Sequence, residues 1–145
     1  KVGKSFVSAK GDLFDKMLNA IKLKKNDIFI VNAIPWRPPG NRYPTAEEIK
    51  ICRPFIFNLI KLLKPKLIVC LGEISTYQIL HLNQSFIKTR GKWHSLKSNP
   101  INDFDDEYNP YVLPTLNISY LLTRPDMKRQ AWEDMKLLRD KIREI

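Results

Sequence analysis

Lys66-Leu67-Ile68-Val69-Cys70-Leu71-Gly72 is the stretch that decides the fold. Its apolar run is strand-sized and bounded by a lysine and a glycine, so it reads as a buried strand. It runs directly into a helix carrying Ile74, Tyr77 and Leu80. Working outward, Tyr111-Val112-Leu113-Pro114-Thr115-Leu116 gives another strand, and a short one is expected near Lys92–Leu96. Upstream, Asp27-Ile28-Phe29-Ile30-Val31 is β-branched and apolar after a charged turn, and is expected to be a buried strand too.

Helices fall between these runs. Leu13, Met17, Ala20 and Ile21 form a helical stripe within Asp12–Leu23. Thr45 followed by Glu48 is a capping box. The helix it opens places Ile49, Cys52, Ile56, Leu59 and Leu63 on one face, with Pro54 expected to kink it. A last helix, Met127 to Ile142, presents Met127, Ala131, Met135, Leu138 and Ile142. Strands alternating with helices predict an α/β domain, three-layer α/β/α around a central, mostly parallel sheet. Ligands in such sheets bind beyond the carboxyl ends of the strands. Three segments fall there: Asn32–Arg42, Gly72–Ser75 and Asn117–Leu121.

The 145 residues fit a single domain. No apolar run approaches the roughly 18–20 residues that span a bilayer, and no signal peptide is expected at Lys1-Val2-Gly3-Lys4. The two cysteines, Cys52 and Cys70, sit among apolar residues and read as buried free thiols in a reducing compartment, with the cytoplasm as the expected location. The net charge is +10, unevenly placed: residues 1–72 hold 14 Lys/Arg against 5 Asp/Glu, residues 73–145 hold 11 against 10. A basic half suits a polyanion, because each phosphate contact releases counterions. A solvated, lysine-rich surface is the other reading.

Chemistry-bearing patterns are few. There is no Ser/His/Asp pattern, Gly-rich phosphate loop or zinc spacing. His81 reads as structural, while His94 is either structural or site-related. Trp36-Arg37-Pro38-Pro39-Gly40-Asn41-Arg42 is a proline-rich loop. Its two arginines and one aromatic suit a nucleic acid strand, guanidinium on phosphate and ring on sugar or base. A purely structural loop is the alternative.

These residues stand in a particular order. Gly3-Lys4-Ser5-Phe6 is followed by Leu18–Ile21, Val31-Asn32, Arg37-Pro38-Pro39-Gly40-Asn41-Arg42-Tyr43-Pro44-Thr45 and Cys52-Arg53-Pro54-Phe55. Pro65 to Gly72, Arg90-Gly91-Lys92-Trp93-His94, Leu113-Pro114-Thr115, Ser119-Tyr120-Leu121-Leu122 and Ala131-Trp132-Glu133-Asp134 complete it. From end to end the chain resembles family 4 uracil-DNA glycosylase of the bacterial type.

The resemblance implies a base excision repair enzyme, a glycosidase that hydrolyses the bond between uracil and deoxyribose and leaves an abasic site. The duplex hides that bond, so the base must be flipped into a pocket. Phe6 matches the family's stacking aromatic. Asn32 matches the residue that reads uracil, accepting from N3–H and donating to O4. Cytosine presents the opposite pattern and would leave buried groups unpaired, at about 1–3 kcal/mol each. Arg37 and Arg42 would hold phosphates, and Lys92 and His94 would line the DNA side. The implied partner is uracil-containing DNA, single- or double-stranded, with no membrane and the chain acting as a monomer.

Three departures accompany the match. The family's first motif, Gly-Glu-Ala/Gly-Pro-Gly, precedes the stretch equivalent to Gly3–Phe6, so the single domain at 1–145 is expected to lack its N-terminal strand and that motif. The family's histidine, which donates to uracil O2, is replaced by Asn117, a shorter donor. Losing such a donor commonly costs about 100–1000-fold in rate. The family's four-iron–four-sulfur cluster needs four cysteines, but Trp36 occupies one ligand position and only Cys52 remains at another. No metal or cofactor is therefore expected. A catalytically degenerate, basic DNA-binding relic is the alternative to an active enzyme. A nucleotide-binding α/β domain is a weaker one.

Overall fold

The computed structural model describes residues 6–32, 45–81, 85–96 and 107–145, with 6–10 and 25 described by their backbone alone. Helix α1 spans Phe6–Ala20, α2 Ala46–Leu63, α3 Glu73–Leu80, α4 Phe86–Thr89, α5 Ile118–Thr123 and α6 Lys128–Glu144. Strand β1 is Leu67–Leu71, β2 His94–Ser95 and β3 Tyr111–Thr115. The described strands form one sheet in the order β1-β3-β2. β1 and β3 are parallel, with Leu67 opposite Tyr111 and Leu71 opposite Thr115. β2 pairs antiparallel on the outer side of β3. The α/β expectation therefore holds.

The alternation of side chains along β1 and β3 builds the layers. Cys70 and Val112, with Ile68 against them, pack on Ile56, Phe57 and Ile60 of α2 and Ile79 and Leu80 of α3. On the other face, Leu113 meets Met135 and Leu138 of α6, joined by Leu67, Val69 and Met17. Leu116 and Leu121 close that side with Ala131, Leu13 and Phe14. Helices α2 and α3 thus cover one face of the sheet, and α1 and α6 the other.

Helix α2 starts as its sequence predicts. Thr45 Oγ1 accepts from Glu48 N–H at 3.1 Å, and Glu48 Oε1 accepts from Thr45 N–H at 2.9 Å. Its inner face is rotated from the expected one. Ile49, Cys52 and Ile56 are buried, but Arg53, Phe57 and Ile60 join them and Leu63 is exposed. Arg53 earns that place through polar contacts: its Nε donates to the Gln78 carbonyl at 2.9 Å and its guanidinium lies over the Tyr77 ring.

One expected element is absent. Residues 27–31 form no strand; Lys25–Asp27 is a 3-10 turn, and an irregular run follows. Phe29, Ile30 and Val31 are 66%, 58% and 41% exposed. β propensity makes a strand only where a neighbour accepts its backbone hydrogen bonds. None of the three described strands pairs with this run, and among the described residues β1 is paired only with β3. Asn32, expected at a strand's carboxyl end, therefore stands exposed after an irregular segment.

Candidate active site at the carboxyl end of the sheet

Parallel strands β1 and β3 end level with one another, and each leads into a helix. Gly72 begins α3, and Asn117 begins α5. The Gly72 N–H donates to the Thr115 carbonyl at 2.8 Å, extending the ladder one step past the strands. Gly72 adopts φ 99 and ψ 175, a conformation essentially reserved for glycine. Its missing side chain is used: a Cβ there would lie 3.1 Å from both Cβ and Nδ2 of Asn117. The two strand ends therefore meet through a glycine and a carboxamide.

Asn117 is half-buried and caps α5. Its Oδ1 accepts from the Ser119 N–H at 2.8 Å. A backbone N–H can only donate, so that contact fixes the amide's orientation and turns Nδ2 toward Gly72. The acceptor half is occupied by the helix, and the donor half lies on the side of the β1 end. Such an arrangement can donate to an anionic or carbonyl oxygen brought to the sheet's carboxyl end.

A buried charge cluster stands behind this point. Asp134, on α6, is 2% exposed. It accepts from Arg90 Nη1 at 2.7 Å on each oxygen and from Thr115 Oγ1 at 2.6 Å. Sequence reading missed it, although a signal was present. Asp134 falls on the same face of α6 as Ala131, Met135 and Leu138, and a carboxylate on an apolar stripe must have partners.

The other anticipated residues are placed as follows. Lys92 is exposed and follows Gly91, whose N–H donates to the Pro114 carbonyl at 2.9 Å, near the carboxyl end of β3. His94 pairs with Val112, three residues before Thr115 along β3. Its Nε2 contacts the Thr89 carbonyl at 2.9 Å and must carry the proton, since a carbonyl only accepts. His81, expected to be structural, caps α3 in the left-handed conformation, with Nδ1 3.4 Å from Arg53 Nη2. Phe6 is the first residue of α1, its side chain outside the described set. Trp36, Arg37 and Arg42 lie outside the described residues. The structure thus brings Gly72 and Asn117 together. A shallow recess lined by Lys66, Tyr108, Pro110 and Tyr111 lies at the opposite end of β3 and is not this site.

A four-iron cluster takes four cysteine ligands, and among the described residues the only cysteines are Cys52 and Cys70. Cys52 is buried on the inner face of α2, and its burial, followed by the nearby Glu48 charge, raises its thiol pKa. Cys70 lies inside β1, where burial pushes its thiol up to about 12. Among the described residues no group of three or more His, Cys, Asp or Glu is arranged to hold a metal ion. Nor is any described helix long and apolar enough to cross a membrane.

Parallel strands that deliver a glycine and a capping asparagine to one sheet end define an α/β domain with a candidate site at the strand carboxyl termini. The profile of the uracil DNA glycosylase superfamily matches residues 1–136, and the chain belongs to that superfamily. It is 34% identical over 145 residues to the type-4 uracil-DNA glycosylase of Sulfurisphaera tokodaii, covering 97% of this chain and 63% of that protein. The type-4 enzyme of Saccharolobus solfataricus is 32% identical, with 97% and 64% covered. That of Thermotoga maritima is 32% identical over 139 residues, with 94% and 67% covered. The chain thus spans about two thirds of the length of these relatives.

Proposed function

We propose that this chain is the larger part of a type-4 uracil-DNA glycosylase, which hydrolyses the N-glycosidic bond of uracil in DNA during base excision repair. The observation that carries the reading is Asn117, with its acceptor held by the Ser119 N–H and its donor turned to the end of β1. Membership of the superfamily supplies the reaction class.

In this reading a flipped uracil stacks on Phe6. Asn32 accepts from N3–H and donates to O4. As the glycosidic bond breaks, negative charge grows on the leaving base, and Asn117 Nδ2 donates to O2. A fixed donor contributes because its dipole needs no reorientation as charge appears. Arg37 and Arg42 hold phosphates, with Lys92 and His94 on the DNA side; the basic first half of the chain suits that surface. Single- and double-stranded DNA are both substrates, the chain acts as a monomer, and it works in the cytoplasm beside the chromosome. It holds no iron–sulfur cluster.

The domain assignment belongs to the same proposal: residues 1–145 are one glycosylase-like domain without its N-terminal strand. Two observations favour this. The edge of β1 away from β3 has no partner strand among the described residues, and Phe29, Ile30 and Val31 are exposed.

The test is excision from uracil-containing oligonucleotides, single- and double-stranded, by the full chain. Abasic product is expected, strongly reduced by Asn32→Ala and by Asn117→Ala. Salt-dependent DNA binding without abasic product, unchanged by Asn32→Ala, would overturn it.

A further inference from the structure

We propose that Asp134 is a positioning residue that sets the donor of Asn117 through Thr115. The proposal rests on the glycosylase reading for its kinetic consequence but on geometry for its structural one.

A buried carboxylate is costly unless its oxygens are fully engaged, and well-packed apolar residues often replace buried ion pairs without loss of stability. Such a cluster is therefore better explained by what it fixes. Asp134 joins three elements: α6, which carries it; the turn after α4, through Arg90; and the last residue of β3, through Thr115 Oγ1. The same turn is tied to β3 a second time, by the Gly91 N–H to the Pro114 carbonyl. The carboxylate sits so close to this turn that a Cβ on Gly91 would lie 2.8 Å from Asp134 Oδ1. Gly91 also has φ 74, in the left-handed region. The turn is shaped around the carboxylate.

From Thr115 the linkage runs forward. Its carbonyl accepts from the Gly72 N–H, and Asn117 is two residues further along the chain. Asn117 lies close against Gly72, near enough that a Cβ built there would stand 3.1 Å from Asn117 Cβ and Nδ2. A rotation of Thr115 therefore moves the Asn117 donor relative to the β1 end. Asp134 touches neither Asn117 nor that end in any described contact, so it acts through Thr115.

The experiment uses Thr115→Val, which removes only the hydroxyl donor, and Thr115→Ser, which keeps it. In uracil excision, Thr115→Val is expected to lower kcat by about 10- to 100-fold with KM changed less than about threefold, the size of effect that small misplacements produce. Thr115→Ser should restore most of the rate. The double variant Thr115→Val with Asn117→Ala should be no slower than Asn117→Ala alone, because the two act as a unit. Amide exchange gives a readout independent of chemistry. The Ser119 N–H, bonded to Asn117 Oδ1, should lose protection in Thr115→Val while the Lys64 N–H at the end of α2 does not. Multiplying rate losses, a change confined to KM, or unaltered Ser119 protection would each overturn the proposal. If the unsubstituted chain excises no uracil, the glycosylase reading fails, and Ser119 exchange alone decides the positioning role.

Discussion

Replacing Gly72 by alanine tests the junction on which the candidate site depends. At φ 99 and ψ 175, an L side chain is strained by about 1–3 kcal/mol. The added Cβ would also meet Asn117 Cβ and Nδ2 at 3.1 Å. The first of these atoms is fixed to the backbone and cannot swing away, so α5 or the β1 end must shift by a few tenths of an ångström. Crowding of that kind costs at least about 1 kcal/mol. The two effects together predict a loss of about 2–4 kcal/mol. With a urea dependence of about 2 kcal/mol per molar, the unfolding midpoint should fall by about 1–2 M. The same shift displaces the Asn117 donor, so excision by the folded variant should slow by about 10- to 100-fold. Urea titration followed by tryptophan fluorescence and excision of a single-stranded uracil oligonucleotide measure the two effects. A variant with an unchanged midpoint and full activity would show that neither the backbone conformation nor the Gly72–Asn117 contact is as described.

Other expectations follow from separate parts of the chain. Gly11 lies within α1 with nothing within 4 Å of a built Cβ, so Gly11→Ala should stabilise by about 0.5–1 kcal/mol in the same titration. Thr45→Ala removes the acceptor for the Glu48 N–H and should cost about 1 kcal/mol, with faster amide exchange in the first turn of α2. Cys70 ties stability to alkaline pH. Its folded thiol is pushed from 9.0 to about 12, so its contribution is complete below pH 9 and is lost as pH rises from 9 toward 12. At pH 10.5 that loss is about 2 kcal/mol. In reducing buffer, Cys70→Ala should show a smaller fall in urea midpoint between pH 8 and 10.5 than the parent chain; equal falls would discard the assignment.

Local sequence was legible where one element specifies itself. Leu67–Leu71 is bounded by polar punctuation and apolar throughout, and it is a strand, although only Cys70 within it is fully buried. Thr45 and Glu48 supply both halves of a cap. The stripe of α6 was visible from spacing alone. The failures share a cause: each depends on what a residue meets across space. Phe29–Val31 has the composition of a strand but no described strand pairs with it. Arg53 was assigned no inner position because its acceptor is a carbonyl 25 residues away. Asp134 and Thr115 are 19 residues apart and meet only when α6 lies across the end of β3. At the candidate site, sequence order singled out Asn117, but its division into one occupied acceptor and one available donor needed the geometry of α5.

Among the described residues β1 is paired on one side only, which has a colloidal consequence. Leu67–Leu71 carries no charge and no proline, the profile of a segment that recruits further strands when an edge is open. Gatekeepers flank it in the sequence: Lys64, Pro65 and Lys66 in front, Glu73 behind. The net charge of +10 adds a repulsion between copies that is weakened as salt shortens the screening length. The ionic strength that loosens a basic surface from a polyanion is therefore also the condition under which this edge is least guarded against its own kind.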